Sequence, residues 1–201
     1  MKKIILIGGA PAIGKTTVAK TLSKRLKIPY LSTDMIRSEM RKNENQQNFP
    51  GLFIFDAKNI GSPADVFNKI PLKQLISAVD RESEDVWLGI TRIINDKKDN
   101  ECLIIEGVAV LPKQAASLEN VNHNVKALIL VNENYDLIKD TIYTRGLGGP
   151  PSMFSEEQKQ MQIEWVKSSN ERYKKEAITH GVKVIDLANS YFIEEIIESV
   201  F

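Results

Sequence analysis

The chain has 201 residues, of which 42% are hydrophobic and 26% are charged. This composition is typical of a globular protein and argues against intrinsic disorder and against a small disulfide-stabilised fold. Its 27 basic and 26 acidic residues leave a net charge of only +1. Because no overall positive field would attract DNA or RNA, no nucleic-acid partner is expected. The length favours one domain spanning residues 1–201.

The cysteine content and the first apolar run bear on location. Ile4–Ile7 is far too short for a signal-peptide core or a membrane span, and no membrane partner is expected. Cys102 is the only cysteine, which rules out an internal disulfide and favours a reducing, cytoplasmic location. Because it lies in an apolar run, a buried and inert thiol is the expectation. His123 and His180 lack metal-type spacing and are assigned no site.

The first motif in the chain is a phosphate-binding loop. Residues 9–16 match the pattern Gly-x4-Gly-Lys-Ser/Thr, between a predicted strand and a helical stretch, Lys15–Leu26. Backbone amides of such a loop point at phosphates, the lysine reaches the β- and γ-phosphates, and the threonine hydroxyl suits Mg²⁺. The motif predicts a site for ATP and Mg²⁺ formed by Gly9, Ala10, Pro11, Ala12, Ile13, Gly14, Lys15, Thr16 and Thr17.

Five short apolar runs along the chain predict β-strands. They are Ile4–Ile7, Ile28–Leu31, Cys102–Ile105, Val125–Val131 and Val182–Ile185. Stretches with helical spacing separate them, which predicts an α/β fold with a parallel sheet covered on both faces. In such a sheet ligands lie at the carboxyl ends of the strands, so the residues just after each strand are the candidates for chemistry.

Two acids follow predicted strands. Asp34 follows the second strand, where it is expected to orient an attacking hydroxyl and accept its proton; alternatively, or in addition, it caps a helix beginning at Met35. Glu106 follows the Cys102–Ile105 strand and is expected to hold magnesium, directly or through water, near the acceptor. A structural role for Glu106 at the turn is the alternative.

Two arginines follow Asp34 at helical spacing. Arg37 and Arg41 are four residues apart, so they share a helix face and can present paired guanidiniums to an anionic substrate. The alternative is that either arginine is simply paired with an acid on a solvated face. Asp34, Arg37, Arg41 and Glu106 are therefore the predicted substrate-binding residues.

The later helices are marked by their caps and apolar faces. Apolar spacing from Pro71 to Ile94 predicts one long helix or two short ones in line. Ser155 and Gln158 form a capping-box pattern for a helix that runs to Thr179 and ends at Gly181. A last helix is expected over Phe192–Ser199. The segments 43–48 and 146–152 have the composition of loops.

The motifs together resemble those of 2-phosphoglycerate kinase and related P-loop small-molecule kinases, with a stretch similar to adenylate kinases after the second strand. The resemblance is carried by Ile4–Thr17, by Ser32, Thr33, Asp34, Ile36, Arg37 and Arg41, and by Ile105–Val108 with Pro112. It implies a P-loop, nucleoside-kinase-like three-layer α/β/α fold with a five-stranded parallel core and a lid. The chain departs from it at Ala12, where a glycine is usual, and at Ala109, where relatives often have histidine.

The resemblance implies ATP-dependent transfer of the γ-phosphate to a small-molecule hydroxyl or phosphate. Lys15, Asp34 and Arg145 are the expected catalytic residues, with a substrate-binding insert at about residues 35–70 and a lid at about 145–155. Arg145 precedes a glycine-rich run and is expected to reach the phosphates when the lid closes, with Arg172 as a second candidate; stabilising its helix end is the alternative. An ATPase or nucleotide-dependent binding module is the competing class, but Ile105 precedes Glu106 where hydrolytic proteins commonly have an Asp-Glu pair.

Overall fold

A five-stranded parallel sheet forms the centre of the computed structural model, which describes residues 3–189 and 192–200. Its strand order is β2-β3-β1-β4-β5, and every neighbouring pair is parallel. The strands are β1 Lys3–Gly8, β2 Tyr30–Ser32, β3 Cys102–Glu106, β4 Val125–Val131 and β5 Lys183–Asp186. The predicted fold class, a three-layer α/β/α P-loop fold with five parallel strands, is confirmed.

Helices cover both faces of this sheet. They are α1 Lys15–Leu26, α2 Thr33–Asn43, α3 Ala57–Ile60, α4 Pro63–Lys69, α5 Leu72–Asp96, α6 Pro112–Val121, α7 Tyr135–Arg145, α8 Glu156–His180 and α9 Phe192–Val200. Short 3₁₀ turns occur at Gly51–Phe53 and Pro151–Met153. The apolar face starting after Pro71 is a single helix, α5, so the alternative of two helices in line is wrong.

Local capping explains where several elements begin and end. Ser155 and Gln158 form the predicted capping box at the start of α8, and Gly181 ends that helix in the left-handed conformation, with φ of 71°. The second strand begins two residues later than its apolar run. The reason is that the Ile28 amide donates to the Ser23 carbonyl, so Ile28 still belongs to the turn that ends α1.

Alternation along the strands divides the core between two faces. On one face Ile4, Leu6 and Ile105 pack under α2, α5 and α6, and on the other Ile5, Ile7 and Leu130 pack under α1, α7 and α9. Burying a side chain of this size contributes about 1.5–3 kcal/mol. Cys102 is only half-buried at the start of β3, so the expectation of a buried thiol holds only in part.

The segment 44–70 folds over the carboxyl edge of the sheet and packs against the start of α8. The side-chain amide of Gln158 donates hydrogen bonds to the Ala64 carbonyl and to the Asn68 side chain, at 3.0 and 2.9 Å. Phe67 on α4 lies 6.0 Å from Phe154 and 6.1 Å from Trp165 between ring centroids. These contacts hold the segment beside the edge where the parallel strands end.

Candidate active site

The loop between β1 and α1 has the backbone conformation of a phosphate cradle. Gly9 and Gly14 have φ of 141° and 106°, and Ala12 is also left-handed, with φ of 59°. A β-carbon on Gly9 would lie 2.4 Å from the Leu130 carbonyl oxygen, so only glycine fits there. Ala12 takes the left-handed conformation in spite of its side chain, which costs roughly 1–2 kcal/mol.

Lys15 is the first residue of α1 and is buried beneath the phosphate loop. Its ammonium donates a 2.5 Å hydrogen bond to the Ala10 carbonyl. Burial lowers the pKa of Lys15 from 10.5 to about 8, although the charges of Glu106 and Asp34 oppose that shift. A bound phosphate would stabilise this desolvated cation at the helix amino terminus. The negative phosphate oxygens would replace the water that burial has removed from the ammonium.

Thr16 and Glu106 form the oxygen-rich part of the site. The Thr16 hydroxyl donates to the Glu106 carboxylate at 3.1 Å, and Glu106 is only 2% exposed. In the sheet register Glu106 lies opposite Ile7 and Ser32, at the point where β1, β2 and β3 end together. Hydroxyl and carboxylate oxygens are ligands that Mg²⁺ accepts alongside phosphate oxygens and water, so these two residues fit a magnesium ion.

Asp34 lies in the first turn of α2 and does not cap it. The helix begins at Thr33, and the Ser32 hydroxyl accepts the hydrogen bond of the Asp34 amide at 3.2 Å. The expectation that Asp34 caps a helix beginning at Met35 is therefore wrong, because Ser32 is the cap. The Asp34 carboxylate is 70% exposed and lies 3.2 Å from the Arg37 guanidinium.

Both predicted arginines meet one buried acid. Arg37 and Arg41 lie 3.1 and 2.9 Å from the two carboxylate oxygens of Glu82, which is 6% exposed, whereas each arginine is 31% exposed. Arg41 also donates to the Leu52 carbonyl. Burial raises the pKa of Glu82, although the two guanidiniums counteract this shift. The alternative of pairing with an acid is thus observed, and the pairing fixes both guanidiniums at one place.

One cavity of about 610 Å³ brings most of the predicted residues together. Its lining includes Lys15 and Thr16 of the loop, the acids Asp34 and Glu106, and both arginines. The rest of the wall is largely apolar and comes from the segment 44–70, α5, α8 and the loop after α7: Phe55, Ile60, Val66, Phe67, Leu75, Val79, Leu147 and Trp165. Ala10 and Ile13 instead bury their side chains in the core, so they take part in the loop only through their backbone.

Some predicted residues lie elsewhere. Thr17 is exposed on α1, and Arg145 is exposed at the end of α7; neither lines the cavity, although Leu147 and Gly148 do. Arg172 bridges α8 to α5 by lying 2.8 Å from Asp80, and it also pairs with Glu176 at 3.1 Å. In this arrangement Arg145 contributes no contact to the cavity, and Arg172 is engaged in ion pairs.

Glu82 and the aromatic wall of the cavity were not predicted from the sequence. Glu82 interrupts the apolar face of α5, four residues after Ala78 and four before Val86, and both of these neighbours are buried. An acid within an apolar helical stripe indicates a buried carboxylate that needs a cationic partner, so this signal was present. Phe67 and Trp165 carry no comparable signal, because apolar residues on helices usually belong to a core.

The fold and the loop geometry define the class: this is a P-loop nucleotide-binding fold with a nucleoside-kinase-like sheet. Residues 4–63 match the family described as "AAA domain". The chain is 30% identical to 2-phosphoglycerate kinase of Methanocaldococcus jannaschii and 27% identical to that of Methanothermobacter thermautotrophicus. Each match covers 71% of this chain but 46% and 47% of the relative, so the chain spans about half the length of these relatives.

Solved structures support the fold. Shikimate kinase from Bacteroides thetaiotaomicron matches with a TM-score of 0.56 and 14% identity, over 98% of this chain and 94% of that one. TT1252 from Thermus thermophilus matches with a TM-score of 0.55 and 16% identity, over 99% and 96%. The sequence matches confirm the resemblance to 2-phosphoglycerate kinase. Across residues 3–189 and 192–200, no helix combines the length and apolar character needed to span a membrane.

Proposed function

We propose that this chain is an ATP-dependent kinase that transfers the γ-phosphate of ATP to a hydroxyl or phosphate group of a small molecule. The observation that carries the proposal is the single cavity shared by Lys15, Thr16, Glu106 and Asp34. Phosphoryl transfer is achieved mainly by positioning and by electrostatic stabilisation, and these residues supply both at one strand edge. The kinase names of the relatives support the same conclusion.

The loop would bind the donor. Backbone amides of residues 9–16 and the start of α1 would hold the β-phosphate of ATP, and Lys15 would exchange its bond to the Ala10 carbonyl for phosphate oxygens. Thr16 and Glu106 would hold Mg²⁺, Glu106 directly or through water. When bound, the ion supplies positive charge that stabilises the phosphate oxygens.

The acceptor side would carry out the proton transfer. The acceptor oxygen forms a bond to the γ-phosphorus while the bond from that phosphorus to the bridging oxygen of ADP breaks. For a hydroxyl acceptor, the proton passes to the Asp34 carboxylate. Arg37 pairs with Asp34 at 3.2 Å and would orient that carboxylate as well as the acceptor.

Two parts of the cavity wall would adapt to the substrates. The segment at about residues 35–70 would form the acceptor-binding insert. The residues at about 145–155 would form a lid, since Gly146 and Gly148 have φ of 73° and 81° and separate α7 from the next turn. On closure, Arg145 would move toward the phosphates and water would be excluded.

Measurement of ADP release tests the proposal. Purified protein with Mg²⁺ and ATP is incubated with and without a panel of hydroxylated and phosphorylated metabolites, and products are identified by mass. We expect ADP release to depend on an acceptor and to match a phosphorylated product, and Lys15→Ala to abolish both. Acceptor-independent ADP release without a phosphorylated product would support the ATPase alternative and refute the kinase.

A further inference from the structure

The acceptor side of the cavity combines paired charges with an apolar surface. Beyond the end of the phosphate loop, the lining of this 610 Å³ cavity comes largely from α2, the segment 44–70, α5 and α8, which is the side where the acceptor is proposed to bind. That volume lies within the range of small-molecule sites. Its chemistry therefore reports on the acceptor.

The charged groups on this side cancel. Arg37 and Arg41 supply two positive charges, and Asp34 and Glu82 supply two negative charges within 3.2 Å of them. Each anionic group of an acceptor would therefore enter beside the γ-phosphate without net compensation, so that two such groups would cost more than one. A single carboxylate is a better match, because the described contacts leave N–H groups on both guanidiniums for one planar, bidentate partner.

The remaining wall favours an apolar body. Phe67 and Trp165 form a tilted aromatic pair with centroids 6.1 Å apart, and Phe154 packs edge-on behind Phe67. Phe55, Val66 and Leu147 continue this surface within the same cavity. A strongly hydrated acceptor would lose water against such a wall without gaining hydrogen bonds, whereas an alicyclic or branched hydrocarbon body would bury apolar area.

We propose that the acceptor is a hydroxylated monocarboxylate with an apolar body, and not a phosphorylated acid. The carboxylate binds at Arg37 and Arg41, the apolar body lies against Phe67 and Trp165, and the hydroxyl faces Asp34 and the phosphate loop. This inference rests on the proposed kinase function and narrows its substrate class. The transfer step is the one given above, with the hydroxyl proton passing to Asp34.

Four probe compounds separate the contribution of the carboxylate from the contribution of the apolar body. trans-4-Hydroxycyclohexanecarboxylate has both features, cyclohexane-1,4-diol lacks the carboxylate, glycerate lacks the apolar body, and 2-phosphoglycerate adds a phosphate. Their dissociation constants are measured by calorimetry on the protein saturated with Mg²⁺ and ADP. We expect the hydroxycyclohexane acid to bind roughly tenfold or more tightly than each of the other three, because the diol loses the charged hydrogen bonds to the guanidiniums, glycerate loses the apolar contact, and 2-phosphoglycerate adds an uncompensated charge.

A matched pair of variants locates the preference. Trp165→Leu should reduce the preference for the ring acid over glycerate, whereas Trp87→Leu, on α5 outside the cavity, should leave it unchanged. If glycerate or 2-phosphoglycerate binds as tightly as the ring acid, or if none of the four binds, the acceptor inference is overturned. Phosphorylation of 2-phosphoglycerate in preference to the ring acid would likewise overturn it while leaving the kinase proposal intact. Failure of ADP itself to bind would refute both.

Discussion

A β-carbon on Gly107 would lie 1.8 Å from the Thr33 hydroxyl oxygen, so the end of β3 and the start of α2 meet with no space for a side chain. Gly107 also has φ of 148°, in the region that favours glycine. Gly107 directly follows Glu106 in the sequence, and Thr33 directly precedes Asp34. It keeps the two acids on adjoining elements at one edge of the sheet.

Gly107→Ala should therefore destabilise the protein by more than about 2 kcal/mol, because Thr33 is buried and cannot move aside freely. Gly181→Ala is the matched control: φ is 71° there, but nothing lies within 4 Å of the added carbon. That change should cost only about 1 kcal/mol. Urea unfolding of both variants provides the comparison, and equal losses would show that the contact with Thr33 is unimportant.

Nucleotide binding should take up protons near pH 8. Because the pKa of Lys15 is about 8, the side chain is half protonated at that pH, and phosphate oxygens favour its charged form. Binding of ADP should then absorb up to about half a proton at pH 8 and almost none at pH 6.5. Calorimetry in buffers with different ionisation enthalpies measures this uptake. Lys15→Met should abolish the uptake at pH 8, and a variant that retained it would exclude Lys15 as its source.

Glu82→Gln should affect function more than stability. Burial raises the pKa of Glu82, so its charged form is costly in the folded protein and the two ion pairs only partly offset that cost. We expect a change in unfolding free energy of less than about 1 kcal/mol, but an acceptor KM raised roughly tenfold, since the two guanidiniums lose their shared anchor. The KM for ATP should stay unchanged.

The exposed pair of Glu39 and Lys42 supplies the control for this variant, because it lies on the same helix as the arginines. Glu39→Gln should alter neither KM nor melting temperature. An unchanged acceptor KM in Glu82→Gln would mean that the arginines need no anchor.

Asp34→Asn should lower the catalytic rate roughly a hundredfold or more while leaving ATP affinity nearly unchanged, as expected for loss of a general base. The melting temperature should hardly move, because the carboxylate is 70% exposed and Ser32 caps the helix. Asp136→Asn, an exposed acid in the first turn of α7, is the control. Loss of ATP binding with a normal rate at saturation would instead make Asp34 a nucleotide-binding or structural residue.

Arg145→Ala distinguishes a lid residue from a helix-end residue. If the loop after α7 closes over ATP, the variant should lose most of its rate with little change in melting temperature. A residue that only stabilises its helix end would contribute a few tenths to about 1 kcal/mol and leave the kinetics normal. Lys24→Ala, in the last turn of α1, reports the size of the helix-end effect. Near-normal kinetics in Arg145→Ala would reject the lid role.

The sequence by itself determined what depends on neighbouring residues. The phosphate loop, the capping box at Ser155 and the glycine at the end of α8 are contiguous patterns whose hydrogen bonds form within one turn, so they could be read directly. The alternation of strands and helices likewise predicted a parallel sheet covered by helices on both faces. Placing Asp34 and Glu106 at one edge followed from a general property of parallel sheets.

Only the tertiary structure decided how distant side chains meet. Glu82 lies 45 residues from Arg37, and Gln158 lies 94 residues from Ala64, so the sequence does not show which partner either side chain meets. The lowered pKa of Lys15 likewise arises from burial among residues of several elements. These properties depend on how helices pack across a sheet, because packing is set by the shapes of many side chains at once and not by local propensity.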